Sequence, residues 1–153
     1  MSKLYSRQYE RSRIELVRKL NLSKLRFQVQ NRRLILDKYL FICYPKCTTC
    51  QKAKKWLDDN GIAYEQRNIK EENPTIEELN NWWKRCTVPA RKLFNTSGLM
   101  YKSLGLKDKL SIMSEEEQLS LLATDGMLVK RPLLVSEEKV LIGFKETEWE
   151  KLK

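Results

Sequence analysis

The sequence predicts an α/β fold with a mixed four-stranded sheet and the element order β-α-β, a helical insertion, then β-β-α. Three observations lead to this prediction. A short apolar strand over 39–43 runs directly into a helix that shows an apolar face and ends before Gly61. A second strand follows within about thirty residues, as in a parallel strand–helix–strand unit. Two short apolar runs, 133–135 and 140–143, then predict a hairpin and antiparallel pairing.

The strand–helix–strand unit is the best defined part of the prediction. After the strand over 39–43, the helix is expected over about 48–60. Gly61 supplies the left-handed residue that commonly follows a helix. The second strand is expected over 62–69, and it should lie parallel to the first because the crossover is right-handed.

The middle of the chain is predicted to be helical. Thr75–Glu78 has the pattern of a capping box, which marks the start of a helix that ends before Pro89. Residues 91–124 should form several short helices, and a second capping box at Ser114–Glu117 begins the last of them. A terminal helix is expected over 146–152.

Charge divides the chain into two parts. The 153 residues carry a net charge of +10. Residues 1–38 hold eleven Lys and Arg against three acids, whereas residues 39–153 hold 19 against 17. We therefore expect a basic, poorly ordered extension over 1–38 and one domain over 39–153. Alternatively, the extension is a basic arm that binds nucleic acid or an anionic membrane surface.

Composition excludes several classes of protein. No apolar run is long enough to span a membrane, and the charged N-terminus lacks the apolar segment of a secretory signal. We therefore expect a cytoplasmic protein with no membrane contact, whose paired cysteines serve redox or metal chemistry. Histidine is absent, which excludes Ser-His-Asp and Cys-His mechanisms and every metal site that needs imidazole.

Cys47 and Cys50 form a C-x-x-C pair at the junction between the first strand and its helix. The free N–H groups and positive dipole end of a helix stabilise a thiolate, and Lys46 adds a positive charge. Cys47 is therefore the candidate nucleophile, and a pair of unreactive thiols is the alternative. With Cys43, the spacing also matches a radical-SAM iron–sulfur site, but those enzymes use a barrel of more than about 200 residues, and Cys43 is expected in a buried strand.

The order of elements and the position of Cys47 form the thioredoxin-like arrangement. In that arrangement a proline before the third strand commonly faces the cysteine loop through a cis peptide bond, and Pro132 takes this place here. Four motifs carry a further likeness: Pro45-x-Cys47-x-x-Cys50-x-Lys52-Ala53, Arg91, the turn Phe94–Gly98, and Lys130-Arg131-Pro132-Leu133. Over residues 39–153 they resemble the ArsC/Spx family of glutaredoxin-linked arsenate reductases, Spx-type transcriptional regulators and reductase-like proteins of unsettled function. The likeness is greatest to this last branch.

The resemblance implies a site and a reaction. Cys47 matches the nucleophilic cysteine, and Arg91 and Arg131 match arginines that bind the oxyanion in arsenate reductases, where bidentate guanidinium donors suit a tetrahedral anion. Cys50 would act as the resolving thiol. We expect a monomeric thiol-based oxidoreductase with no bound cofactor or metal. Its substrate would be a small oxyanion or a thiol, and glutathione with glutaredoxin, or thioredoxin, would donate electrons.

Departures from the family pattern keep a second function open. Arsenate reductases carry a third arginine shortly after the last strand, where this chain has Phe144-Lys145, and this difference argues against arsenate itself as the substrate. The alternative is an Spx-like regulator that binds the RNA polymerase α subunit and uses the cysteine pair as a redox switch. The loop over 86–90 lacks the glycine with which that branch contacts the polymerase.

Overall fold

The computed structural model describes Leu22 and residues 39–153. The predictions for the basic extension over 1–38 therefore lie outside the described residues, except that Leu22 is exposed. Within the described part of the chain, no helix has both the length and the apolar character needed to cross a membrane.

Four strands form one mixed sheet in the order β2-β1-β3-β4, which confirms the predicted architecture. β1 pairs in parallel with β2 and antiparallel with β3, and β3 and β4 form the antiparallel hairpin. β2 is shorter than predicted, because the N–H of Ile62 still donates to the carbonyl of Leu57 at the end of the preceding helix, 3.1 Å away. The strands are β1 Tyr39–Cys43, β2 Tyr64–Asn68, β3 Leu133–Val135 and β4 Val140–Ile142.

The helices follow the predicted order, and both capping boxes are formed. Gly61 has a φ of 64°, as expected for a left-handed residue after a helix. The terminal helix is shorter than predicted and continues as a 3₁₀ turn. The α-helices of residues 39–153 are α1 Thr48–Asp59, α2 Ile76–Arg85, α3 Leu99–Ser103, α4 Leu106–Lys109, α5 Glu115–Leu122 and α6 Glu146–Trp149, with 3₁₀ turns at Ala90–Leu93, Gly126–Leu128 and Glu150–Leu152.

Apolar side chains pack on both faces of the sheet. Successive residues of β1 point to opposite faces, so Ile42 joins one cluster while Phe41 and Cys43 join the other. The first cluster packs the sheet against α2 and α5, and the second packs it against α1 and α6. With both faces covered, the loop that connects β1 to α1 lies beyond the carboxyl end of the central strand β1, where its side chains can reach a ligand.

Candidate active site

The chain turns from β1 into α1 at the predicted cysteine. The N–H of Cys47 donates to the carbonyl of Tyr44 at 3.0 Å, and the carbonyl of Cys47 accepts from the N–H of Gln51 at 3.0 Å. The Gln51 side chain also donates to the carbonyl of Pro45, which ties the turn to the helix. Cys47 is therefore the N-cap residue of α1. Its sulfur lies where the unpaired N–H groups of a helix start favour negative charge.

The two thiols of the pair have opposite environments. Burial raises the pKa of Cys47, but the contacts of its sulfur with the N–H and thiol of Cys50 and the N–H of Thr49, together with the charge of Arg131, outweigh burial and lower that pKa overall. Cys50 is only 2% exposed. Burial, with further contributions from the sulfurs of Cys47 and Cys43, raises the pKa of Cys50 to about 12. The pair therefore combines one thiolate-forming cysteine with one that stays protonated.

Cys47 opens into a cavity of about 920 Å³. Beyond the cysteine loop, the cavity is lined by residues of three segments: 95–100, 127–131 and 142–145. None of its described lining residues is acidic, and four are cationic: Lys46, Lys130, Arg131 and Lys145. The cavity can therefore attract an anion, and the charge of Arg131 also favours the Cys47 thiolate.

Arg131 is held in this cavity by neutral groups. One of its guanidinium nitrogens donates to the Met127 sulfur at 2.9 Å, and the guanidinium carbon lies 5.3 Å from the centre of the Tyr44 ring. Among residues 39–153, no ion pair includes Arg131. A guanidinium that is positioned without a carboxylate keeps its full charge for a bound anion.

The structure brings together most of the predicted site residues. Cys47 and Arg131 line the cavity, while Cys50 and Pro132 are buried close to it. The Arg131–Pro132 peptide bond is cis, as predicted. Arg91 does not line the cavity; it lies exposed on the 3₁₀ turn Ala90–Leu93. The predicted role of Arg91 in anion binding is therefore not supported by proximity, and it stays a prediction.

Several residues of the site were not predicted. Met127 carried no signal, because a methionine near a helix end is ordinarily a core residue. Tyr44 was quoted in the strand-to-helix stretch, but no local pattern pairs it with an arginine 87 positions later. Lys145 did have a signal, since it follows the last strand where arsenate reductases carry an arginine. It lines the cavity and pairs with Glu148 at 2.9 Å.

The structure gives no support to the iron–sulfur alternative. Cys43 is 3% exposed within β1, and burial raises the pKa of its thiol. No group of three or more cysteine or carboxylate side chains in residues 39–153 is arranged to hold a metal ion. Cys43 is part of the core, as predicted for a cysteine at the end of an apolar strand.

Known proteins are similar to this chain in sequence and in fold. The model of the ArsC family matches residues 43–152. The uncharacterized protein YusI of Bacillus subtilis is 52% identical over 110 residues, which are 72% of this chain and 93% of YusI. The regulatory protein MgsR of the same organism is 35% identical over 112 residues, 73% of this chain and 87% of MgsR.

Among solved structures, an ArsC family related protein from Bacteroides fragilis superimposes with a TM-score of 0.74 and 59% identity. The match covers 76% of this chain and 99% of that protein. The family match over residues 43–152 includes the cysteine loop and every described residue that lines the cavity. On this evidence of sequence and structure, the chain belongs to the ArsC family.

Proposed function

We propose that this chain is a cytoplasmic, monomeric thiol oxidoreductase of the arsenate reductase-like class. Cys47 is its nucleophile and Cys50 its resolving thiol. The contrast between the two thiols carries the proposal: one is partly exposed in a cationic cavity with a lowered pKa, and the other is buried with a pKa raised to about 12. Because of this contrast, the Cys47 thiolate is suited to attack the substrate, and the Cys50 thiol is suited to resolve the intermediate that forms on Cys47.

The first step uses the thiolate of Cys47. It attacks the electrophilic atom of a bound anion that Arg131, with Lys46 and Lys130, holds in the cavity. With arsenate, an S–As bond forms and an oxygen leaves as water after accepting protons. A bonded Cys47 sulfur is no longer anionic, so its contribution to the raised pKa of Cys50 disappears.

The second step uses Cys50. Its thiol gives up a proton to the leaving oxyanion and its sulfur attacks the sulfur of Cys47. The S–As bond breaks with its electron pair on arsenic, and arsenite leaves. Arsenate and two thiols thus give arsenite, one disulfide and one water. An external thiol donor, either glutathione with glutaredoxin or thioredoxin, then reduces the Cys47–Cys50 disulfide by thiol–disulfide exchange.

The decisive measurement is the reactivity of Cys47 against pH. We expect the rate of alkylation by iodoacetamide to rise through a pKa below the free-cysteine value of about 8.5. The Cys47→Ser variant should lose this fast phase, while Cys86→Ser should keep it. A Cys47 that titrates like a free cysteine would end the proposal. Arsenate-dependent NADPH oxidation in the presence of glutaredoxin or thioredoxin, compared between wild type and Cys47→Ser, then tests arsenate as the substrate.

A second candidate function is transcriptional regulation with the cysteine pair as a redox switch. The likeness to MgsR, which is named a regulatory protein, favours it. Such a regulator would bind the RNA polymerase α subunit, and oxidation of Cys47 and Cys50 would change that binding. A pull-down with the purified α subunit, under reducing and then oxidising conditions, tests this role. Absence of retention in both conditions would eliminate it.

A further inference from the structure

Among the strands of residues 39–153, β4 lies at an edge of the sheet, and this edge passes beside the cavity. β4 is the last strand of the sheet, and its ladder to β3 includes bonds from Gly143 N–H to the carbonyl of Pro132 and from Ser136 N–H to the carbonyl of Lys139. In an antiparallel ladder, inward-facing and outward-facing residues alternate. Because the bond at Gly143 faces inward, the N–H and carbonyl of Ile142 face outward from the sheet.

A second cavity lies along this edge. It has a volume of about 360 Å³ and lies between β4 and the loop that follows α2. It shares Lys130, Ile142 and Lys145 with the cavity of Cys47, so the two cavities adjoin at these residues. At its far end, the Cys86 sulfur approaches the carbonyl of Val140 at 4.0 Å. The outward-facing backbone of Ile142 is therefore at the junction of one groove that extends from Cys47 to Cys86.

The groove is strongly cationic along its whole length. The second cavity adds Arg85 and Lys92 to the lysines that both cavities share. Arg85 also donates to the carbonyls of Ser136 and Glu137, which fixes its position without neutralising its charge. The single acid among the described lining residues is Glu148, and it is paired with Lys145. Such a groove attracts a ligand with several negative charges.

A small oxyanion would occupy only a fraction of this space. The cavity of Cys47 alone has the volume of sites for much larger ligands, and Leu99 at its rim is 85% exposed. An extended peptide fits the combination of features better, since it can pair with an outward-facing backbone, place acidic side chains on the lysines and cover an apolar rim.

We propose that the groove from Cys47 to Cys86 binds an extended acidic segment of a partner protein, which adds to β4 by pairing with the N–H and carbonyl of Ile142. The inference rests on the proposed function in one respect: this segment would bring the partner's reactive sulfur to Cys47. Binding itself needs no reaction at Cys47, so it can be measured separately from the thiol chemistry.

The test uses a short fluorescent peptide of alternating glutamate and valine around a central serine. We expect saturable binding to the full chain, measured by fluorescence anisotropy, that weakens as salt is raised. A peptide with lysine in place of glutamate should not bind. A peptide with N-methylated central residues should bind about tenfold more weakly, a loss equivalent to about 1.4 kcal/mol, because it cannot donate to the edge strand.

Three protein variants, one of them a control, test the location of the peptide. Lys92→Glu reverses a charge that lines only the second cavity, and it should weaken binding about tenfold while the alkylation profile of Cys47 stays unchanged. Lys70→Glu makes the same charge change at an exposed residue that lines neither cavity, and it should have little effect. Ile142→Pro removes the outward N–H, a change that edge strands tolerate, and it should reduce binding of the unmodified peptide.

The outcomes separate the two proposals. If neither N-methylation nor Lys92→Glu weakens binding, or if no saturable binding occurs, the groove does not bind a peptide strand and this inference is wrong. If Cys47 then still shows its lowered pKa, the proposed function stands without it. If the peptide binds as expected but Cys47 titrates like a free cysteine, the thiol chemistry fails and the peptide groove remains. Binding of glutathione disulfide in preference to the peptide would also overturn the inference.

Discussion

At the scale of single residues, the chemistry depends on the different surroundings of two cysteines three positions apart. Cys47 was identifiable from sequence, because a cysteine at a strand-to-helix junction meets the free N–H groups of the helix. Contacts between distant segments of the chain bury Cys50 and supply the neutral groups that hold Arg131. Local patterns do not encode such contacts. The role of Arg91, which the family resemblance implies, stays a prediction, because Arg91 does not line the cavity.

The raised pKa of Cys50 predicts a loss of stability in alkali. In the unfolded chain this thiol loses its proton near its ordinary value of 9.0, whereas in the native protein it keeps the proton up to about 12. The native state is therefore stabilised fully below pH 9 and loses that stabilisation as pH rises towards 12. We expect the melting temperature of the reduced protein to fall over this range, and to fall less steeply in Cys50→Ala.

Cys43 and Cys86 also have pKa values raised by burial, so the decline in Cys50→Ala should be reduced and not abolished. Cys47→Ala is the matched control. In the wild type the pKa of the Cys47 thiol is lowered, so the contribution of that thiol to stability increases with pH, opposite to that of Cys50. An alkaline decline that is identical in wild type and Cys50→Ala would contradict the burial of Cys50.

At the scale of elements, one glutamate joins β2 to α2. Glu78 completes the capping box of α2 with Thr75, and its carboxylate also receives two hydrogen bonds from Arg67 of β2, at 2.7 and 3.0 Å. The Arg67 side chain is only 9% exposed. The capping box was predictable because its two residues are three positions apart. The ion pair was not, because residues 67 and 78 meet only when the strand and the helix pack together.

We expect Glu78→Gln to destabilise the protein by about 1–3 kcal/mol, because the partly buried charge of Arg67 loses its shorter ion pair and keeps the longer one to Glu72, at 3.6 Å. Urea denaturation measures the change. Glu77→Gln is the matched control, since Glu77 is the exposed neighbour on the same helical turn. Equal effects of the two substitutions would show that the pair with Arg67 contributes nothing.

The ion pair between Arg67 and Glu78 also makes the stability of the domain depend on pH in the acid range. Arg67 holds the pKa of Glu78 below its ordinary value of 4.5, so the stabilisation is present above that value and disappears as pH falls through the lower native pKa. The denaturation midpoint of Glu78→Gln should therefore approach that of wild type in acid. The difference between the two should be largest near neutral pH.

At the scale of the whole molecule, the described domain has its own core on both faces of the sheet and includes the entire candidate site. The fold class and element order were predictable because every element carries its own local pattern of apolar, capping and turn residues. The volume of the cavity and the uniform sign of its charges were not, since they arise from four segments that are far apart in sequence.

A chain that begins at Tyr39 should keep the melting temperature and the Cys47 alkylation profile of the full chain. The family match begins at residue 43, and the described apolar core lies within residues 39–153. The same truncation tests the basic-arm prediction. Salt-dependent binding of nucleic acid should be lost with residues 1–38, and binding that persists without them would assign it to the domain.

The tryptophans that pack behind the cysteine pair should report the redox state of that pair through their fluorescence. Cys50 belongs to the same apolar cluster as Trp56 and Trp149, which are two of the four tryptophans in the chain. The ring centres of Trp56 and Trp149 lie 5.8 Å apart, and the rings are arranged edge to face. A disulfide quenches indole emission more strongly than a thiol does, and Trp149 is fully buried. Oxidation of Cys47 and Cys50 should therefore dim the tryptophan emission reversibly, and each turnover could be followed without a dye. The emission of Cys50→Ala should not respond to oxidant.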